Sequence, residues 1–352
     1  MSTGTLAEIP LIDLSPYFAG DPTEKRRVAD EISRACERMG FFMVSGHGVD
    51  PALVDRARRE SVAFFGLPMK EKLAIRKPEG DLAVRGYEPV GTEHLAATIG
   101  VEAPPDLKES ISFGPIDVPD HPSCHTEAAA PCYAPNIYPQ QPSGLRQTIE
   151  DYIRALDLLG WHLHRLAAIA FDLPEDHFDA TLERGFSILR VLNYPEQKNA
   201  PKEGQFRAGE HSDYDNLTIC LIEDKPGGLQ ARGPDGTWVN VPAIPGSFVV
   251  NIGDFLMRWT NDRWKSTRHR VLNPPHASGD RLSFCHFIEP NYDALIECLP
   301  TCHSQEQPAK YPPITAGDYM LEKFSSQESG REWDDDDSEK FGTGDTETRF
   351  VQ

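Results

Sequence analysis

The chain has 352 residues, of which 39% are hydrophobic and 26% are charged, a composition typical of a globular protein and not of a collagen-like, coiled-coil or wholly disordered one. Its 35 basic and 55 acidic residues give a formal net charge of −20, so we expect a surface that repels nucleic acids and anionic membranes. No apolar run reaches the roughly 18 residues that span a bilayer, and the N-terminus has no signal-peptide pattern.

The N-terminal half predicts a mixture of short strands and amphipathic helices. The spacing of its apolar residues and the glycine and proline positions define the boundaries. Residues 78–142, which are rich in proline and glycine, predict mostly loop. The predicted elements are a strand over 9–14, a helix over 23–39, a buried strand over 41–44, a helix over 51–65 and a long helix over 145–171.

From about Phe186 the pattern changes to short β-rich runs separated by turns. The predicted strands cover residues 188–194, 217–222, 229–232, 238–241, 247–252, 268–272 and 282–288. Strands of this length and spacing favour a β-sandwich or open barrel. Helices followed by strands therefore predict an α+β fold around an all-β core. Residues after about 325 include the acidic run Glu332–Glu339 and predict a solvated, disordered tail.

The seven cysteines are spread along the chain without any Cys-x-x-Cys pair. Their odd number argues against a disulfide framework. Proteins without disulfides are typical of reducing compartments, so we expect a cytoplasmic protein.

His211 and Asp213 are two candidate metal ligands. They lie two residues apart on a predicted strand, so both side chains would point to one face. His269, on another predicted strand, is the candidate third ligand. Two histidines and one carboxylate on one face of an octahedron form the site of the non-haem Fe(II) oxygenases, which leaves three positions open.

A His-x-Asp pair alone is weak evidence, because about one is expected by chance in a chain of this composition. His177 and Asp179 form a second copy. They lie near a predicted helix start, where residues two apart do not share a face, so we predict that this copy binds no metal.

Arg281 and Ser283 also lie two apart on a predicted strand and could bind one carboxylate together. Neither face of that strand is clearly polar, so a buried Arg281 would need an anionic partner. Tyr194, at the end of another predicted strand, could add its hydroxyl or could simply be a packed core residue. A metal with open positions beside a carboxylate site predicts a 2-oxo acid that chelates the metal and anchors its distal carboxylate on Arg281.

In these and further motifs the chain resembles the isopenicillin N synthase-like branch of the Fe(II)/2-oxoglutarate-dependent dioxygenases. The resemblance covers most of residues 8–323. One position departs from it, since Leu192 stands where many plant members have Asn. The motifs include Gly40-Phe41-Phe42, Asn193-Tyr194-Pro195, His211-Ser212-Asp213, Asn251-Ile252-Gly253-Asp254, Lys265-Ser266-Thr267-Arg268-His269 and Arg281-Leu282-Ser283.

The resemblance implies a double-stranded β-helix, or jelly roll, with an N-terminal helical region packed around it. We expect an N-terminal region over residues 1–145, a jelly-roll core with its long support helix over 146–325, and an acidic tail over 326–352. The same resemblance implies a small-molecule substrate, and we expect no obligate protein partner.

The resemblance also implies a reaction and its site. 2-Oxoglutarate would be converted with O2 to succinate and CO2 while the substrate is hydroxylated, with desaturation or ring closure as variants and ascorbate as a candidate reductant. The implied Fe(II) ligands are His211, Asp213 and His269, and the implied 2-oxoglutarate residues are Arg281, Ser283 and Tyr194. Candidate substrate residues, each of which could equally be a packing residue, are Phe287, Glu289, Phe206, Arg207 and Tyr214.

The sequence is also compatible with other activities. An oxidase on the same scaffold would need no 2-oxoglutarate, and its Arg and Ser would bind a different carboxylate. A non-catalytic metal-binding jelly roll would use the same fold without consuming O2. Formation of ethylene from 2-oxoglutarate itself is a further alternative.

Overall fold

The strands and helices were located in a computed structural model, which describes residues 9–329 apart from 79, 81, 198–199 and 275–277. The strands are β1 (Leu11–Asp13), β2 (Phe41–Ser45), β3 (Gly86–Glu88), β4 (Glu109–Phe113), β5 (Ile188–Tyr194), β6 (Ala208–His211), β7 (Leu217–Ile222), β8 (Leu229–Arg232), β9 (Trp238–Asn240), β10 (Phe248–Ile252), β11 (His269–Val271), β12 (Arg281–Ile288), β13 (Leu295–Ile296) and β14 (Ile314–Thr315). The helices are α1 (Ser15–Phe18), α2 (Pro22–Arg38), α3 (Pro51–Phe65), α4 (Met69–Leu73), α5 (Leu145–Ala170), α6 (Asp179–Leu182), α7 (Asp254–Trp259) and α8 (Ala316–Ser329), with 3-10 helices at Leu95–Ile99 and Pro122–His125.

Two sheets form the centre of the fold. The larger has eight strands in the order β1-β2-β10-β7-β12-β5-β4-β3, and the smaller has four in the order β6-β11-β8-β9. Only the β1–β2 pair is parallel among these strands. An apolar cluster that includes Phe41 and Leu192 from the large sheet and Ala208, Leu229 and Val271 from the small one joins the two faces.

Strand alternation in β12 separates core packing from the space between the sheets. Leu282, Phe284 and Ile288 belong to the main apolar core with the helices. Arg281 and Ser283, which alternate with them, line a cavity between the sheets. The side chains expected to carry chemistry therefore share one face of the large sheet.

Helices α2, α3 and α5 cover the opposite face of the large sheet. Asp21 and Asp50 cap the N-termini of α2 and α3, and proline follows each at the first helical position, a pattern that stabilises a helix start. The long helix α5 packs on both of these helices and on β12. Gly160 allows the close approach, because a Cβ there would lie 2.6 Å from Ile288 Cδ1.

Residues 78–142 are mostly loop, as predicted, but β3 and β4 within them extend the large sheet. β4 was not predicted because three of its five residues are polar, although Glu109 is buried. That carboxylate forms an ion pair with Lys72 at 2.7 Å and accepts a hydrogen bond from Asn193 Nδ2 at 2.8 Å, which offsets the cost of burying it.

The C-terminal prediction is wrong in part. Helix α8 continues to Ser329, so residues 326–329 of the predicted tail are helical, and residues 330–352 lie outside the described residues. No helix in the described part of the chain has both the length and the apolar composition needed to cross a membrane.

Candidate active site

His211, Asp213 and His269 come together at one point between the sheets. One ligand atom from each lies within 4.8 Å of the others. Asp213 Oδ1 is 3.7 Å from His211 Nε2 and 3.6 Å from His269 Nε2. Two nitrogen donors and one oxygen donor at this spacing suit Fe(II) bound by a facial triad.

The register between strands β6 and β11 and a turn after β6 bring these residues together. His269 on β11 is the cross-strand partner of His211 on β6. The prediction that Asp213 lies on the same strand as His211 is wrong, because β6 ends at His211. The chain instead turns, and Asp213 O accepts a hydrogen bond from Asp254 N at 3.0 Å. The carboxylate therefore converges on the histidines through this turn and not through strand alternation.

Each histidine is oriented by its second ring nitrogen. His211 Nδ1 lies 2.8 Å from Gly209 O, and His269 Nδ1 lies 3.1 Å from Thr267 O. A carbonyl only accepts, so both Nδ1 atoms carry the proton and leave the Nε2 lone pairs for a metal. Burial, aided by the charge of His269, lowers the pKa of His211 to about 3, which keeps it in the neutral form that binds metals.

Asp213 is held by its other carboxylate oxygen. Oδ2 accepts hydrogen bonds from Thr218 Oγ1 at 2.6 Å and Asn251 Nδ2 at 2.7 Å, which leaves Oδ1 directed at the histidines. Burial alone would raise the pKa of Asp213, but the two histidines and these two donors outweigh it and lower that pKa. No sequence motif pointed to Thr218, whereas Asn251 stands out as a polar residue in an otherwise apolar, buried strand.

Arg281, Ser283 and Tyr194 meet farther along the same cavity. Arg281 is 1% exposed, and its Nη1 donates to Ser283 Oγ at 2.9 Å. Tyr194 is the cross-strand partner of Arg281, and its ring centroid lies 5.4 Å from the guanidinium carbon. Among the described residues, Arg281 Nε has no hydrogen-bond partner and no carboxylate forms an ion pair with Arg281. A buried guanidinium in this state fits an incoming carboxylate.

The substrate candidates separate into two groups. Tyr214, Phe287 and Glu289 line the same cavity, which has a volume of about 370 Å³. Phe206 lies against Arg270 instead. Arg207 is fully buried behind Tyr194, where its Nη1 donates to Pro226 O at 3.0 Å. Neither of these two lines the cavity, so Arg207 is placed to support Tyr194 and not to contact a substrate.

A network of ion pairs forms another wall of the cavity. Arg190 pairs with Glu88 at 3.1 Å and Glu93 at 2.6 Å, and Lys108 pairs with Glu93 at 3.3 Å. This group was not predicted from the sequence, since Glu88, Glu93 and Lys108 lie in the region predicted as mostly loop. Leu192, the position that departs from many plant members, also lines the cavity.

The second His-x-Asp copy forms no comparable site. Asp179 begins α6, and its carboxylate binds Arg165 Nη2 at 2.6 Å. Within the described residues, the only group of three or more potential ligands close enough to share a metal is His211, Asp213 and His269.

Comparisons with known proteins identify the family of this chain. Two family models match, one described as the N-terminal region of non-haem dioxygenases in morphine synthesis over residues 9–141, the other as the 2OG-Fe(II) oxygenase superfamily over residues 186–290. The chain therefore belongs to the 2-oxoglutarate- and Fe(II)-dependent oxygenases. This membership makes it an oxidoreductase that uses Fe(II), 2-oxoglutarate and O2, and it confirms the α+β, jelly-roll fold.

Individual relatives extend over nearly the whole chain. A 2-oxoglutarate-Fe(II) type oxidoreductase of Emericella nidulans is 34% identical, covering 92% of this chain and 90% of the relative. A homoarginine-6-hydroxylase of Oryza sativa is 33% identical, covering 90% and 96%. Among solved structures, a full-length Neurospora crassa protein in complex with alpha-KG and thymine is 30% identical with a TM-score of 0.78, covering 93% of this chain and 98% of that one.

Proposed function

We propose that this chain binds Fe(II) through His211, Asp213 and His269, and that Arg281, Ser283 and Tyr194 bind the distal carboxylate of 2-oxoglutarate. The substrate would be a small molecule that enters the remaining part of the cavity and is hydroxylated there. The observation that carries the proposal is the buried guanidinium of Arg281, which has no acidic partner among the described residues and lines the same cavity as the three metal ligands.

Some of these residues would bind the metal or the cosubstrate, and others orient the side chains that bind the metal. Bound Fe(II) supplies the chemistry with O2 in which 2-oxoglutarate is oxidised to succinate and CO2. The three ligands fix the metal, and Thr218 and Asn251 fix Asp213. Arg281 and Ser283 set the direction from which the cosubstrate reaches the metal. Apolar wall residues such as Leu192 and Val271 keep water away from that path.

The substrate assignment rests on relatives and on the cavity. One relative is named a homoarginine-6-hydroxylase, and one related structure holds thymine. We propose that the substrate here is likewise a small molecule with nitrogen-containing polar groups, which a cavity of about 370 Å³ can enclose beside 2-oxoglutarate. All seven cysteines are unpaired, and this supports a reducing compartment such as the cytoplasm.

The test is anaerobic. Purified protein is loaded with Fe(II) and titrated with 2-oxoglutarate, and the weak visible charge-transfer band of the chelate is recorded. We expect the band in the wild type, its loss in His211→Ala and a large rise in the required 2-oxoglutarate concentration in Arg281→Ala. His177→Ala is the matched control, since it alters the His-x-Asp copy outside the site and should leave the band unchanged.

Each failure has a distinct meaning. A wild type that is folded and iron-loaded but shows no band would contradict 2-oxoglutarate binding and favour the 2-oxoglutarate-independent oxidase. A band that survives His211→Ala would contradict the assigned ligands.

A further inference from the structure

The carboxylates of the cavity are not all accounted for by the proposed function. Asp213 faces the metal position, and Asp215 Oδ2 lies 2.9 Å from Thr218 Oγ1. Glu88 and Glu93 both form ion pairs with Arg190, and Glu93 also pairs with Lys108. Glu289 has no such partner, since no basic residue in the described part of the chain forms an ion pair with it. Its Oε2 atom is buried and has no hydrogen-bond partner among the residues that the structure describes.

Glu289 is held firmly where it stands. It is 3% exposed and directly follows β12, so it continues the alternation of Ser283, Cys285 and Phe287 along the cavity face. Its backbone N–H donates to Ser187 Oγ at 3.2 Å. A Cβ at Gly185 would lie 2.5 Å from Glu289 O, so the backbone on the other side is closely packed as well.

Glu289 also lies at the metal end of the cavity. Phe287, two residues before it, is the cross-strand partner of Thr218, and Thr218 donates directly to Asp213. Arg281 is eight residues away along the strand, at the 2-oxoglutarate end. A molecule that contacts Glu289 would therefore lie beside the metal without displacing the cosubstrate.

We propose that Glu289 binds a cationic group of the substrate, an ammonium, amidinium or guanidinium, with Phe287 packing against the adjoining carbons. A buried carboxylate without a partner is costly, and a cation with several N–H donors satisfies both of its oxygens. A metal ion is a poorer occupant, because Glu289 belongs to no group of three or more potential ligands within the described residues. This inference rests on the proposed function, because it names the substrate class of the same site.

The experiment uses holoenzyme with Fe(II) and 2-oxoglutarate under anaerobic conditions. The probes are butylguanidinium, butylamidinium and butylammonium salts together with arginine and homoarginine. Each is compared with its neutral isostere, which is the urea, amide or alcohol of the same shape, or citrulline and homocitrulline. Binding is measured as the perturbation of the charge-transfer band. We expect at least one cation to bind about 10- to 100-fold more tightly than its neutral isostere, the range of a charge-assisted hydrogen-bond pair.

Two variants assign the preference to a residue. Glu289→Gln should reduce it to about twofold while the band itself and its 2-oxoglutarate dependence persist, which shows that the variant is folded. Glu88→Gln is the matched control, because it makes the same change at a carboxylate of the same cavity that Arg190 already satisfies, and it should keep the preference for cations.

The outcomes separate the two proposals. Absence of the band in the wild type would overturn the proposed function. A normal band with equal binding of cations and neutral isosteres, or with no binding of any cation, would overturn only the role of Glu289. A preference for cations that persists in Glu289→Gln would overturn it too.

Discussion

Replacing Glu289 by Gln should stabilise the metal-free protein at alkaline pH. Burial, and next the negative charge of Asp213, raise the pKa of Glu289 from 4.5 to about 8. In the unfolded chain the same carboxyl ionises near its ordinary pKa. Between these two values the folded state holds a proton that the unfolded state has lost, so the free energy of unfolding falls as the pH rises.

The size of the effect follows from the two pKa values. A difference of about 3.5 between the folded and unfolded pKa corresponds to at most about 5 kcal/mol at pH 8 and above. We expect roughly half of this limit, because local rearrangement lets water reach an ionised carboxylate. Gln has the shape of the protonated acid and no charge, so Glu289→Gln should be about 2–3 kcal/mol more stable than the wild type at pH 8.5 and nearly equal to it at pH 4.5.

The assay is reversible urea unfolding of chelator-treated protein across this pH range. Glu223→Gln is the control, because the pKa of Glu223 is shifted in the opposite direction and the variant should lose stability. Hydrogen bonds from Leu282 N–H and Arg58 outweigh burial and lower the pKa of Glu223, so its stabilising effect is present at neutral pH and lost in acid. That variant should be less stable than the wild type at pH 8.5, with a difference that narrows as the pH falls through the carboxyl range.

Two results would refute the reasoning. Parallel pH–stability curves for Glu289→Gln and the wild type would mean that the carboxyl titrates alike in the folded and unfolded chains. A variant that is less stable than the wild type at pH 8.5 would mean that an ionised Glu289 has a favourable partner in the metal-free protein.

Three further outcomes can be measured directly. Arg281→Ala should weaken 2-oxoglutarate binding about 100-fold in a band titration, and full affinity in Arg281→Lys would contradict the paired hydrogen bonds of a guanidinium. Thr218→Val removes one donor to Asp213 and should weaken Fe(II) binding about tenfold in competition with a chelator; equal affinity would show that this donor is dispensable. Cys220 and Cys285 have sulfur atoms 2.9 Å apart, so hydrogen peroxide should oxidise the two thiols to a disulfide with release of two waters. Mass spectrometry should show the loss of two hydrogens in the wild type and no such loss in Cys285→Ser.

Local patterns in the sequence predicted most of the strands after Phe186 and the residues of the candidate site. The i, i+2 spacing of Arg281 and Ser283 placed both on one strand face, and the structure shows them in contact. His211 and Asp213 also lie close together, but not through their spacing on a strand, because the strand ends before Asp213. A turn held by backbone hydrogen bonds leaves little trace in side-chain periodicity.

Long-range pairing accounts for most of what the sequence could not show. The registers that place His269 opposite His211 and Tyr194 opposite Arg281 depend on how the sheets assemble. β4 was not predicted because Glu109 is a charged residue. Its charge is balanced by Lys72, which lies 37 residues away in the sequence. A local hydropathy pattern does not show that a polar residue is buried when its hydrogen bonds and ion pairs are made by residues distant in the sequence.

The order of strands in the large sheet has a consequence for dissecting the molecule. β10, β7, β12 and β5 lie at its centre, with β2 and β1 beside β10 and β4 and β3 beside β5. A fragment that starts at residue 146 would lose both flanking pairs at once and leave β10 and β5 as bare sheet edges. Unprotected edges of this kind recruit strands from other molecules, so we expect such a fragment to aggregate instead of behaving as an independent catalytic module.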